Sequence, residues 1–382
     1  MSIPRKVVKS SQTPQSQKSG TSTPKSIISN TDTEEFLYPI ERPILKWIGG
    51  KTQIISTLIN KFPKSMESYH EIFLGGSSVL LALLTGIKNK EIVVSKSINA
   101  YDLNESLINM YKNIQSKPLE VYKELSELIK NYHKTFDKVD ISEDENSDDS
   151  SEDDSSEDTD EDEQTNKKNK NIKSVNKKTK IINRKPKNLE EAMMNEENYY
   201  YWIRQTYNKL SQTNKNTPKG SAMFIFLNKT CFRGMFREGP NGFNVPYGNY
   251  KKPEIINKEH LMDVSKLIKN VNFVHADFNE SLKNVKLNDF VYLDPPYAPE
   301  TKTSFVGYNK EGFTIDLHEK LFNICSDMKL KKIKFIMSNA DVELVRTAFP
   351  PQLYNTDIIS CKRSINSKKP NSKTNEVIIK SF

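Results

Sequence analysis

The chain has 382 residues, a hydrophobic fraction of 35% and a formal net charge of +8. So low an apolar content means that part of the chain stays outside any core. Cys231, Cys325 and Cys361 are too few and too widely spaced for a zinc ribbon or a disulfide scaffold, so no metal site is expected. The longest apolar stretch, residues 72–87, is interrupted by Gly and Ser and is shorter than the roughly 20 residues of a spanning helix. Arg5, Lys6 and Lys9 are followed by no apolar run, which argues against a secretory signal. These features predict an intracellular protein of cytoplasm or nucleus with no membrane segment.

In chain order, residues 1–35 are mostly Ser, Thr, Pro, Gln and Lys, too poor in large apolar side chains to offset the entropy of ordering, and read as a disordered tail. From 36 to 136 apolar runs alternate with helical patterns: EIFLGG, SVLLALLTGI, EIVVSKSINAYD and SLINMYKNI. That alternation predicts parallel strands joined by crossover helices. A composition break follows over 137–188. Its first part, 137–165, holds sixteen Asp or Glu against one Lys, a local net of −15 that leaves +23 on the remaining residues. Such an excess suits a polyanionic partner as well as simple solubility. Its second part holds ten basic residues from Lys167 to Lys187 and no acid. We read 137–188 as a solvated, disordered linker interrupting one structure; DNA contact or nuclear import by the basic half are the alternatives. Patterned sequence resumes over 189–270, and 271–382 carries further strands at NVNFVHAD, DFVYLD, KKIKFIMSN, LYNTDIISC and EVIIKSF. The expected fold is an open α/β sheet with helices on both faces, which binds ligands beyond the carboxyl ends of its strands.

Residues with chemical potential stand at those ends. Phe73, Leu74, Gly75, Gly76 and Ser77 close one strand and open a helix, where glycines allow close approach of a ligand, or simply a tight turn. Asp102 ends the next strand, 26 residues after Gly76, a place from which a carboxylate accepts hydrogen bonds from ribose hydroxyls or caps the helix starting near Glu105. Asp277 follows another strand and suits an adenine amine, with Phe278 or Phe73 packing on the ring. Asp294, Pro295, Pro296 and Tyr297 directly follow the apolar residues 290–293. Two prolines fix the backbone there and cannot continue a sheet, so an acid and a ring stand on a rigid edge. An exocyclic amine is a poor nucleophile because its lone pair is delocalised into the purine. Asp294 and the Pro295 carbonyl each suit one amine hydrogen, which draws the nitrogen toward a tetrahedral shape, while Tyr297 stacks on the base.

Together these residues resemble the Dam and EcoRV type of adenine-N6 DNA methyltransferases, the alpha group in motif order. ILKWIGGK at 44–51 is similar to the N-terminal cofactor motif, which implies contacts of Trp47 and Lys51 with S-adenosylmethionine. EIFLGGSSV, Asp102 with Asn104, and DPPY match the glycine, ribose and catalytic motifs, and the segment at 226–253 resembles the start of the target-recognition region. The C-terminal KRSINSKKPNSKTNEVIIKSF resembles the closing strands, with Arg363 and Ser364 in matching places. The resemblance implies a Rossmann-like, S-adenosylmethionine-dependent core in which Asp294 also borders the cofactor. It also implies a smaller recognition region at 189–270, double-stranded DNA as partner, and room for a cognate restriction endonuclease. Arg233, Arg237, Asn241, Asn244, Lys251 and Lys252 are the candidate DNA contacts. Arg233 stands where bacterial members usually have Asn, and Arg reads guanine where Asn reads adenine; generic phosphate contact is the alternative for the basic residues. Methylation of RNA or protein, or DNA binding without catalysis, are the competing functional readings.

Overall fold

The computed structural model describes residues 38–136, 182–299, 312–362 and 373–382. The N-terminal tail, most of the linker, Arg363 and Ser364 lie outside the described residues. α1 (Ile55–Ile59) leads into β1 (Ser65–Ile72), followed by α2 (Ser78–Lys88), β2 (Val93–Asp102), α3 (Glu105–Ser116) and α4 (Pro118–Phe136). β1 begins well before its apolar run, because the buried polar residues Ser68, His70 and Glu71 conceal it from a hydrophobicity reading. The Asp289 carboxylate accepts from the Ser68 amide at 3.1 Å and lies 3.3 Å from His70 Nε2, and the Tyr69 hydroxyl donates to Glu71 Oε2 at 2.6 Å.

A helical stretch follows: α5 (Leu189–Ala192), α6 (Glu196–Lys209), α7 (Gln212–Lys215) and α8 (Pro218–Thr230). The short hairpin β3 (Glu238–Gly239) and β4 (Gly242–Phe243) and then α9 (Lys258–Leu267) complete it. This stretch, read from sequence as the smaller recognition region, shares one core with α3 and α4. Phe224, Ile225, Phe226 and Leu227 of α8 are buried, and α8 packs against α3, α4 and α6. Asn113 Nδ2 donates to Ser221 Oγ at 2.9 Å, and the Tyr132 and Tyr247 hydroxyls meet at 2.6 Å. The described chain resumes at 182, inside the stretch read as linker. There the Asn183 amide donates to Asn198 Oδ1 at 2.7 Å and Asn183 Nδ2 to Glu191 Oε2 at 2.9 Å.

The remaining elements are β5 (Val271–His275), α10 (Phe278–Leu282), β6 (Phe290–Leu293), α11 (Ile315–Leu330), β7 (Lys334–Ala340), α12 (Glu343–Ala348), β8 (Asn355–Lys362) and β9 (Lys373–Lys380). The main sheet has seven strands in the order β5-β2-β1-β6-β7-β9-β8. The first five are parallel, as the alternation implies. Of the last two, β9 alone is reversed, running antiparallel to both β7 and β8. Only residues 363–372 separate β8 from β9, fewer than the dozen or so that a parallel crossover requires. The chain leaves β1 toward β2 on one side, while β6 lies on the other. The strand order therefore reverses between β1 and β6, where such sheets open a crevice at their carboxyl ends.

Candidate active site

β1 and β6 are in register at their ends, Ile72 opposite Leu293, so the loop after β1 and the edge after β6 emerge side by side. They line one cleft of about 1400 Å³. Trp47, Lys51, Phe73, Gly75, Asp102, Asp277, Phe278 and the four residues Asp294 to Tyr297 all border it. The sheet thus gathers in one place every residue that the sequence assigned to the cofactor and to catalysis.

The glycine turn has a definite steric reason. Gly75 has φ +50°, and a Cβ there would lie 2.8 Å from the Trp47 indole; one on Gly76 would lie 2.8 Å from the Trp47 Cβ. The glycines admit Trp47, which also stacks on Phe236 at 5.9 Å with the rings 16° apart. Asp102 is fixed by two backbone donors, Gly75 N–H on Oδ2 and Asn104 N–H on Oδ1, each at 2.9 Å. Its carboxylate thereby ties the β1 loop to the end of β2. Burial pushes the Asp102 carboxyl up and those amides pull it back. The cap of α3 is Asn104, which accepts the Leu107 amide at 3.0 Å, so the capping role weighed for Asp102 falls to its neighbour. Asp277 is exposed and does cap α10 through the Glu280 amide at 2.9 Å. Phe73, at φ +71°, packs edge-on with Phe313 at 5.8 Å and lies 6.0 Å from Phe278, an aromatic wall beside Asp277.

On the opposite wall Lys51 Nζ donates to Asp294 Oδ2 and to the Gly49 carbonyl, both at 2.7 Å. Lys51 is 3% exposed and the Asp294 side chain 19%. Burial raises Asp294 to about 6, against the lowering effect of Lys51, and Glu376 adds to the rise. Tyr297 lies with its ring centroid 5.1 Å from Lys51 Nζ and donates its hydroxyl to Glu376 Oε2 at 2.7 Å. Beyond it, Asn339 Oδ1 accepts the amides of Ala298 at 2.9 Å and Ala340 at 2.8 Å, pinning the chain after the two prolines to β7.

The six candidate DNA contacts between Arg233 and Lys252 stand on an exposed rim, over the buried Phe243, Val245 and Tyr247. Arg233 borders the cleft at φ +54°, while Arg237, Asn241, Asn244, Lys251 and Lys252 lie outside its lining, all exposed. Arg237 Nε donates to Asn244 Oδ1 at 2.8 Å, and the hairpin turn at Pro240 and Asn241 is anchored by Asn208, which pairs with the Phe243 amide and carbonyl. Asn228 joins the rim to the chain before Trp47: its Oδ1 accepts the Lys46 amide at 2.9 Å, and its Nδ2 donates to the carbonyls of Lys46 at 2.8 Å and Gly234 at 3.0 Å.

The family model for the D12 class of N6 adenine-specific DNA methyltransferases matches residues 47–178 and 164–363 of this chain. The chain belongs to that family. A Type II methyltransferase, M.MjaIII of Methanocaldococcus jannaschii, is 31% identical over 335 residues, covering 86% of this chain and 93% of that protein. A second, M1.LlaDCHI of Lactococcus lactis, is 25% identical over 89% of this chain and 95% of its own length. The Retron Ec67 DNA adenine methylase of Escherichia coli is 33% identical over 48% of this chain and 62% of its own. The D12-class assignment decides among the readings left open by sequence: adenine methylation of DNA stands, and methylation of RNA or protein does not.

Glu71, Glu376 and Phe313 are among the residues of this D12-class site not singled out from sequence. Glu71, buried on the cleft floor, is raised to about 8 by burial and by Asp294, against the Tyr69 hydrogen bond. Glu376 and Phe313 also border the cleft. Glu71 was visible as an acid immediately before IFLGG, but one charge beside an apolar run reads as a strand end. Glu376 had no local signal, since only the antiparallel placement of β9 brings it to Tyr297.

Proposed function

We propose that this enzyme transfers a methyl group from S-adenosylmethionine to the N6 amine of an adenine flipped out of double-stranded DNA, with the reaction held at the edge Asp294 to Tyr297. The observation that carries this reading is the register of Ile72 with Leu293, which sets the Gly75 loop and the DPPY edge on one cleft. The residues fit the cofactor. Gly75 and Asp102 form a pre-built turn beside the aromatic wall of Phe73, Phe278 and Phe313, and each Asp102 oxygen, although bonded to an amide, keeps a lone pair for a ribose hydroxyl. Asp277 spends one oxygen on its helix and has the other for an adenine amine. Trp47 holds the turn, and Lys51 bonds Ser78 just beyond the turn through its amide and Asp294 through its ammonium.

When bound, S-adenosylmethionine supplies an electrophilic methyl on a sulfonium. The chain's own work is positional. Asp294, ionised and steadied by Lys51, accepts one hydrogen of the target amine, and the Pro295 carbonyl accepts the other, so the nitrogen lone pair turns away from the ring. Tyr297 stacks on the base, and Pro296 keeps the ring and the acid at a fixed spacing. No covalent enzyme intermediate is needed for in-line displacement, and the gain comes from orientation and fixed dipoles. Arg233, Arg237, Asn241, Asn244, Lys251 and Lys252 form the DNA face, the arginines for base edges and the lysines for phosphates. Extruding the base costs a few kcal/mol, which these contacts offset.

A competition assay tests the proposal. With labelled S-adenosylmethionine and equal amounts of duplex DNA, RNA and protein, label should enter the duplex alone, and should do so after deletion of 137–181. Label in RNA or protein, with duplex DNA unlabelled, would reject it.

A further inference from the structure

We infer that Glu376 is a positioning residue for methyl transfer, fixing through the Tyr297 hydroxyl the plane on which the target base stacks. The inference rests on the role proposed above for Tyr297. It begins with the sheet. β9 is inserted antiparallel beside β7, with Glu376 opposite Ala340, so a C-terminal side chain reaches the rim of a cleft otherwise built by parallel strands. There Glu376 Oε2 accepts the Tyr297 hydroxyl at 2.7 Å.

The backbone leading to Tyr297 is already fixed. Pro295 and Pro296 restrict it from one side, and Asn339, itself fully buried, takes the Ala298 amide on the other. What remains free is rotation about the two side-chain bonds; a hydrogen bond at the far end of the phenol fixes the direction in which the ring points, and because the O–H lies in the ring plane it also biases that plane toward the acceptor. Lys51 Nζ, 5.1 Å from the ring centroid, also bonds Asp294. Acid, cation, ring and second acid therefore form a continuous chain across the site, and the ring's plane is set relative to the carboxylate that holds the amine. Burial and the two neighbouring acids push the Tyr297 hydroxyl well up, so it remains a neutral donor at working pH.

The test compares E376A, E376Q, Y297F and the double variant Y297F/E376A in the full-length enzyme, with D294A as a control. The readouts are single-turnover methylation rate, donor KM, and fluorescence of 2-aminopurine placed at the methylated position. Misplacing a reacting group by about 1 Å costs on the order of 100-fold, so E376A and Y297F should each slow the single-turnover rate by about 10- to 100-fold, with donor KM within about twofold of wild type. The double variant should be no slower than the slower single, because both changes break one interaction. E376Q, which keeps an acceptor, should recover most of the rate. 2-Aminopurine emission should be less quenched in E376A than in wild type, since stacking on an unfixed ring is poorer. Losses that multiply in the double variant, an E376A rate equal to wild type, a defect confined to donor KM, unchanged quenching, or E376Q as slow as E376A would overturn the inference. Failure of the underlying reading is seen separately, as a D294A enzyme that methylates at the wild-type rate.

Discussion

Lys51 and Asp294 lie 243 residues apart in the chain and meet at 2.7 Å, both largely withdrawn from water. One is the last residue of the Trp47 motif and the other follows the end of β6, so the contact closes the site across the whole fold. It also sets the electrostatics. Burial disfavours the Asp294 anion, Lys51 restores part of it, and the balance leaves the carboxyl at about 6.

The charge state of Asp294 should therefore govern the acid side of the pH profile. With the ionised form accepting the amine hydrogen, as proposed, kcat/KM for DNA should fall about tenfold per unit below pH 6. Lys51→Met removes the influence that lowers Asp294, so the acid limb should move to higher pH. A limb that stays in place or moves down would mean that another group controls it.

Glu71 offers a stability prediction of definite sign. Its folded-state value of about 8 lies above the ordinary 4.5, so the folded protein binds a proton that the unfolded chain releases. The associated stability is present below about pH 4.5 and is lost as pH rises toward 8. Glu71→Gln should flatten this decline in denaturant titrations across that range, relative to wild type. Parallel curves for the two proteins would contradict it.

Asn228 should behave as a structural joint. It is 3% exposed and makes three hydrogen bonds with the backbone at Lys46 and Gly234. Asn228→Ala would strand those groups, at a cost of about 3 kcal/mol if one or two remain unsatisfied. Chemical denaturation measures the loss. A change below about 0.5 kcal/mol, the usual size for a surface substitution, would show that the rim and the chain before Trp47 are not coupled through this residue.

On the DNA face the two kinds of basic residue should separate. Arg237, oriented by Asn244, should contribute specificity: Arg237→Ala should weaken binding to the target site by about 1–3 kcal/mol and relax base preference there. Lys251→Ala and Lys252→Ala should weaken all duplexes alike and each reduce the salt slope by about one. Equal behaviour of Arg237 and the lysines would assign all three to phosphate contact.

Much of the site was legible because strand ends are local. The apolar residues before DPPY and before Gly75 mark strands whose carboxyl ends must face one crevice, and the structure brings both there. Three matters needed the tertiary structure. The early start of β1 is masked by His70 and Glu71, polar residues whose partners are Asp289, far along the chain, and Tyr69. The reversal of β9 follows from a short connection and not from any pattern within the strand. The union of α8 with α3 and α4 is invisible to composition because an apolar helix such as Phe224 to Leu227 reads alike in one domain or two.

The most direct measurement digests duplex DNA after reaction with wild-type enzyme or Asp294→Ala and identifies the methylated nucleoside by mass spectrometry. The wild type should yield N6-methyldeoxyadenosine and the variant none. Methylation of a different base, or N6-methyladenine from the variant at the wild-type rate, would contradict it.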